Sequence, residues 1–111
     1  MIEIVIPKNV VVGCYEYSID ASGKKDRELA ADHRRAMADF TEHTIYIVSN
    51  LDKQDVMNCF CHEVVHCIDV AYFDQGLSEG TVAIMGNALH QVFLELGIRF
   101  VLKEQSDGVS P

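Results

Sequence analysis

His62-Glu63-Val64-Val65-His66 places two imidazoles four residues apart, with a carboxylate beside the first. On an α-helix, positions i and i+4 lie one above the other on one face, so both rings can reach a single ion. Glu63 stands about 100° round the helix from His62, where it can take a proton from water held at that ion. Imidazole nitrogen is a preferred zinc ligand, so this H-E-x-x-H spacing carries two protein ligands of a catalytic zinc site together with its general base. A chain of 111 residues with five His and eight Glu meets the pattern by chance roughly 0.016 times, which makes coincidence a poor account of it.

The bland alternative is an amphipathic helix with two histidines on a solvated stripe. Cys59, Phe60, Cys61, Val64, Val65, Cys67, Ile68, Val70 and Ala71 surround the motif on nearly every side, which marks a buried helix. Buried His and Glu side chains need partners, and a metal ion satisfies all three at once.

Catalytic zinc usually takes three protein ligands and leaves one position for water, so a further donor must come from outside the motif. A third histidine in the H-E-x-x-H-x-x-G-x-x-H continuation is excluded, because Asp69 and Tyr72 occupy the positions that require glycine and histidine. Glu79 is the leading candidate, at the start of a following helix that folds back across the first. Its competing role is that of a glutamate stabilised by the helix macrodipole. His90 and Glu95 lie further along and are carried away from the motif in an antiparallel pair. Asp69, one turn beyond His66, could ligate or hydrogen-bond a ligating ring. Cys59 lies near the motif face and is a rival ligand, whereas Cys61 and Cys67 point away. Tyr46, Tyr72 and His90 have the chemistry to steady an oxyanion.

The elements that must position these groups follow from local pattern. Ile2–Ile6 and Val10–Ile19 are β-branched runs that predict strands, with Pro7 ending the first. Residues 20–26 form a turn or loop, and residues 26–36 a weak helix or ordered loop. Met37–Phe40 and Thr44–Val48 predict a hairpin across Thr41-Glu42-His43, the second strand offering an edge on which an extended peptide could pair. Asp52 caps a helix running to about Phe73, and Ser78 caps a second that ends at Gly97. Ile98–Leu102 either extends that helix or forms a strand, which periodicity does not separate. The expected fold is α+β: a small antiparallel sheet packed on the H-E-x-x-H helix, with a second long helix after it. One domain over 1–103 and a flexible tail over 104–111 account for the length.

A formal charge of −8 argues against nucleic acid or an anionic membrane surface as partner. The apolar runs near the start are broken by Pro7-Lys8-Asn9, so neither reads as a secretion signal or a membrane span, and a cytoplasmic location is expected. Cys14, Cys59, Cys61 and Cys67 are expected as reduced thiols, since three share one rigid helix.

From Thr44 to about Leu96, the segments Thr-Ile-Tyr-Ile, Cys-His-Glu-Val-Val-His-Cys-Ile-Asp and Leu-Ser-Glu before a long helix resemble the small zincin-like metallopeptidases of gluzincin type found in bacteria and their phages. The resemblance spans about half the chain, and its specific element is H-E-x-x-H. It implies Zn2+ as cofactor, Glu79 as the downstream glutamate ligand, peptide or protein as substrate, and residence inside a bacterial cell. Gly80 and Gly86 depart from that pattern by interrupting the second helix, and little chain remains for a substrate-binding lobe. The expected function is zinc-dependent peptide hydrolysis with Glu63 as base. Its rivals are a non-catalytic, metal-stabilised module that binds a regulatory protein partner, and a structural metal site closed by a fourth ligand such as Cys59.

Overall fold

Helix α2 (Lys53–Tyr72) runs through the middle of the molecule. The Asp52 side chain accepts the amide of Asp55 and opens it, satisfying one of the free amides of the first turn. Val56, Met57, Cys59, Cys61, Val65 and Cys67 are all buried, so the helix is enclosed on more than one side, as the absence of a polar face requires.

The computed structural model describes residues 1–106 and is of the α+β class. Strands β1 (Ile2–Val5), β2 (Asn9–Val12) and β3 (Tyr15–Asp20) precede a short helix α1 (Asp26–Ala31). Strands β4 (Ala36–Asp39) and β5 (Thr44–Ile47) then lead into α2, and α3 (Glu79–Glu95) and β6 (Ile98–Val101) follow. Four strands form one sheet in the order β2-β3-β5-β4, while β1 and β6 pair separately and in parallel. Ile45 and Ile47 of β5 pack with Tyr17, Val56, Cys59 and Cys67 in the core between sheet and α2. α3 packs against α2 and β6.

Two expectations change, and one open alternative is resolved. The run Val10–Ile19 is two strands, because Gly13 takes a positive φ of 64° and turns the chain in a two-residue hairpin that pairs Val12 with Tyr15. The larger sheet is mixed rather than antiparallel: β3 leaves through α1, and β5 returns beside it in the same direction. Residues 98–101 are strand, since β1 supplies a pairing partner that local periodicity cannot reveal. Gly97, at φ 78°, ends α3 and permits that change of direction.

The expected tail is anchored at its start. Lys103–Gln105 forms a 3-10 turn, and Gln105 donates to the Leu51 carbonyl at 2.7 Å. The rest of that expectation, residues 107–111, lies outside the described residues. Among the described residues no helix is long and apolar enough to cross a membrane.

Candidate metal centre

His62, Glu63 and His66 lie well inside α2, more than one turn from either end, so fraying does not reach them. The connection to α3 is short and held by Asp69. Its Oδ1 accepts the Leu77 amide at 3.1 Å, and its carbonyl accepts the amides of Phe73 and Gln75. Asp74 and Gln75 both adopt positive φ, which reverses the chain in minimal length. Ser78 then caps α3 by accepting the Thr81 amide, leaving Glu79 as the first helical residue.

The two helices approach unusually closely at the motif. A Cβ built on Gly86 would lie 2.9 Å from the His62 Cα and 3.3 Å from its amide nitrogen. The glycine expected to weaken α3 is therefore the residue that admits it against the first histidine. Gly80 has no such role, its nearest neighbour being the Ser78 Oγ at 3.9 Å.

The outcome is one carboxylate facing two rings. Glu79 Oε1 lies 3.0 Å from His62 Nε2, and Oε2 lies 3.2 Å from His66 Nε2, with the ring centroids 4.9 Å apart. Without an ion these contacts are hydrogen bonds from the imidazoles. Their spacing also suits zinc: tetrahedral ligand atoms at about 2.0–2.1 Å from an ion stand about 3.3 Å from one another. His62, His66 and Glu79 offer donor atoms within 4.8 Å of one another, a set of two nitrogens and one oxygen that matches zinc preference.

Glu63 points into the same cleft and is buried. Loss of water pushes its pKa up to about 7, with the Glu79 charge adding to the rise; Arg34 and a hydrogen bond from the Ala38 amide oppose it. A carboxyl group poised near neutrality suits a general base. Burial holds the His66 pKa below its ordinary value, partly countered by Glu79, which favours the neutral ring that a metal requires.

The cleft has a volume of about 650 Å³, and β4 forms one wall. β4, not β5, is the edge of the four-stranded sheet, which moves the expected peptide-pairing edge to Ala36–Asp39. The Val48 amide bonds to the Arg35 carbonyl, so residues 35, 37 and 39 face β5. By alternation, Ala36 and Ala38 turn their backbone groups to the open side, where the Ala38 amide meets Glu63.

Other candidates fall elsewhere. Asp69 holds the interhelical turn instead of a ligating ring. Cys59 lines the cleft but is not among the converging donors, and burial pushes its thiol up to about 11, keeping it neutral. None of Tyr46, Tyr72 and His90 lines the cleft. The Tyr46 hydroxyl donates to Glu42 at 2.7 Å, Tyr72 is exposed at the end of α2, and His90 is buried beside Asn58. Glu95 accepts from Gln91 at the far end of α3. Arg34 and Asn58 line the cleft without having been expected there. The adjacent arginines before the hairpin were the available signal for the first.

Comparison of the chain with protein-family models, curated proteins and solved structures finds no match.

Proposed function

We propose that this protein is a zinc-dependent peptide hydrolase of the minimal gluzincin-like kind its sequence resembles, acting in the bacterial cytoplasm. The observation that carries the reading is the Glu79 carboxylate set 3.0 and 3.2 Å from the two motif imidazoles, beside a buried Glu63. His62, His66 and Glu79 would hold the ion. When bound, zinc supplies a Lewis acid that polarises the scissile carbonyl and acidifies water.

The chain's own groups account for the remaining steps. An extended peptide pairs with the open backbone groups of Ala36 and the Ala38 carbonyl, which lays it across the cleft. Glu63, buried in the cleft, takes a proton from the attacking water as oxygen bonds to the carbonyl carbon. As the carbon–nitrogen bond breaks, Glu63 returns that proton to the leaving amine. Free buried thiols at Cys59, Cys61 and Cys67 accord with a reducing compartment.

A second reading, a non-catalytic, metal-stabilised module that docks a regulatory protein, draws support from α3. Ile84, Val92 and Leu96 lie exposed along one face of it, a pattern suited to a protein partner.

The test compares zinc-loaded wild type with Glu63→Gln on a complex peptide mixture read by mass spectrometry. Glu63→Gln should keep its zinc and lose about 10²-fold or more in turnover. Glu79→Ala should bind zinc at least about tenfold more weakly. Undiminished cleavage by Glu63→Gln refutes the mechanism, and absence of cleavage by wild type leaves the docking module.

A further inference from the structure

Acidic residues outnumber basic ones by 17 to nine in this chain, yet two arginines stand at the mouth of the cleft. They are not equivalent. Arg35 is paired with Asp55 at 3.0 Å. Arg34 is exposed, and among the described residues its guanidinium makes no salt bridge or hydrogen bond. Its backbone is nevertheless fixed: the Arg34 amide donates to the Leu29 carbonyl at 2.8 Å, and the next carbonyl accepts the Val48 amide at 2.8 Å. A cation without a salt-bridge or hydrogen-bond partner among the described residues is thus held at the rim, its charge felt by Glu63 and its fork of donors free.

That place has a direction relative to the reaction. Ala38 and Glu63 line the same cleft, and Arg34 lines it too, two residues before β4 begins and across a bend at Arg35. Antiparallel pairing, the stronger ladder, runs a bound peptide opposite to β4. The part of the peptide beyond the bond above Glu63 then passes towards the end of β4 that Arg34 precedes, where the arginine lines the cleft. Guanidinium matches a carboxylate with two parallel hydrogen bonds.

We infer that Arg34 is a specificity-determining residue that binds a carboxylate of the peptide one or two residues to the carboxyl side of the cleaved bond. The inference rests on the hydrolase reading above. Two sources supply that chemistry, an Asp or Glu side chain and the peptide's own C-terminus. Both carry negative charge, which the chain's net charge of −8 disfavours overall and a cation at this rim offsets locally.

The experiment measures binding, apart from turnover. Zinc-loaded Glu63→Gln protein is titrated into three fluorescein-labelled octapeptide pools with otherwise randomised positions. One carries glutamate at the sixth position and an amidated end, the second carries glutamine there and an amidated end, and the third is the glutamine pool cut after that position with a free carboxylate. Fluorescence anisotropy should show the first or third pool bound about tenfold more tightly than the second. The tighter pool identifies the source. Adding Arg34→Gln should remove the difference, and Arg34→Lys should keep part of it, since it preserves charge but not the fork. Equal binding of all pools, no binding of any, or a preference that survives Arg34→Gln overturns the inference. Wild-type cleavage of the same pools is scored separately. An Arg34-dependent preference without cleavage upholds Arg34 and rejects hydrolysis; cleavage without preference does the reverse.

Discussion

Replacing Gly86 with alanine adds a methyl group where α3 already touches the backbone of α2. The new carbon would stand 2.9 Å from the His62 Cα and 3.4 Å from its Cβ, against an ordinary carbon–carbon contact of about 3.5–4.0 Å. Neither obstacle is the flexible end of a side chain, so the helices must part by roughly 0.6–1 Å. Overpacking of this kind costs about 1–3 kcal/mol, and the better helix propensity of alanine offsets about 1 kcal/mol of that. Net destabilisation of about 0–2 kcal/mol is expected from urea unfolding in the presence of a chelator. At the proposed zinc site the expected consequence is larger. Glu79 lies two turns from Gly86 on the same rigid helix and moves with it, whereas a metal site tolerates about 0.5 Å of misplacement. Competition with a chromophoric chelator should show zinc affinity reduced about tenfold or more. Gly80→Ala is the control, because its methyl group meets nothing closer than 3.9 Å. It should stabilise the fold by up to about 1 kcal/mol and leave zinc affinity unchanged. Wild-type zinc affinity in Gly86→Ala would refute the claim that close helix approach positions Glu79.

Stability of the metal-free protein should carry a Glu63 signature. With a folded pKa near 7 against an ordinary 4.5, this carboxyl favours the folded state below pH 4.5, and the benefit is lost as pH rises to about 7. The loss amounts to about 3 kcal/mol, so Glu63→Gln should be the more stable protein at pH 8 by up to that amount and should match wild type near pH 4.5. Parallel pH profiles of the two proteins in chemical denaturation would contradict this. Asp69→Ala leaves the Leu77 amide without its acceptor, at a cost of about 1–3 kcal/mol. It should lower the melting temperature and weaken zinc binding together; unaltered zinc affinity would show that the turn does not position Glu79.

Much of the local architecture is legible in the sequence. Asp52 and Ser78 cap the helices they were expected to cap, because a cap is a bond between residues three apart. The hairpin of β4 and β5 was equally readable from two apolar segments and a short polar connection. Gly13 was overlooked because the valines before it and the aromatic residues after it read as one strand. Arg34 was absorbed into a weak helical segment. Gly86 was read as a defect, since propensity records what glycine costs a helix and not what it permits between helices.

Sequence alone determined that two imidazoles share a helix face with a carboxylate beside them, because helical geometry ties positions four apart whatever surrounds them. Tertiary structure decided which strand is the free edge, which role Asp69 takes, and that Glu79 faces both rings. Those outcomes depend on pairings between segments distant along the chain, and a local pattern carries no record of its distant partner.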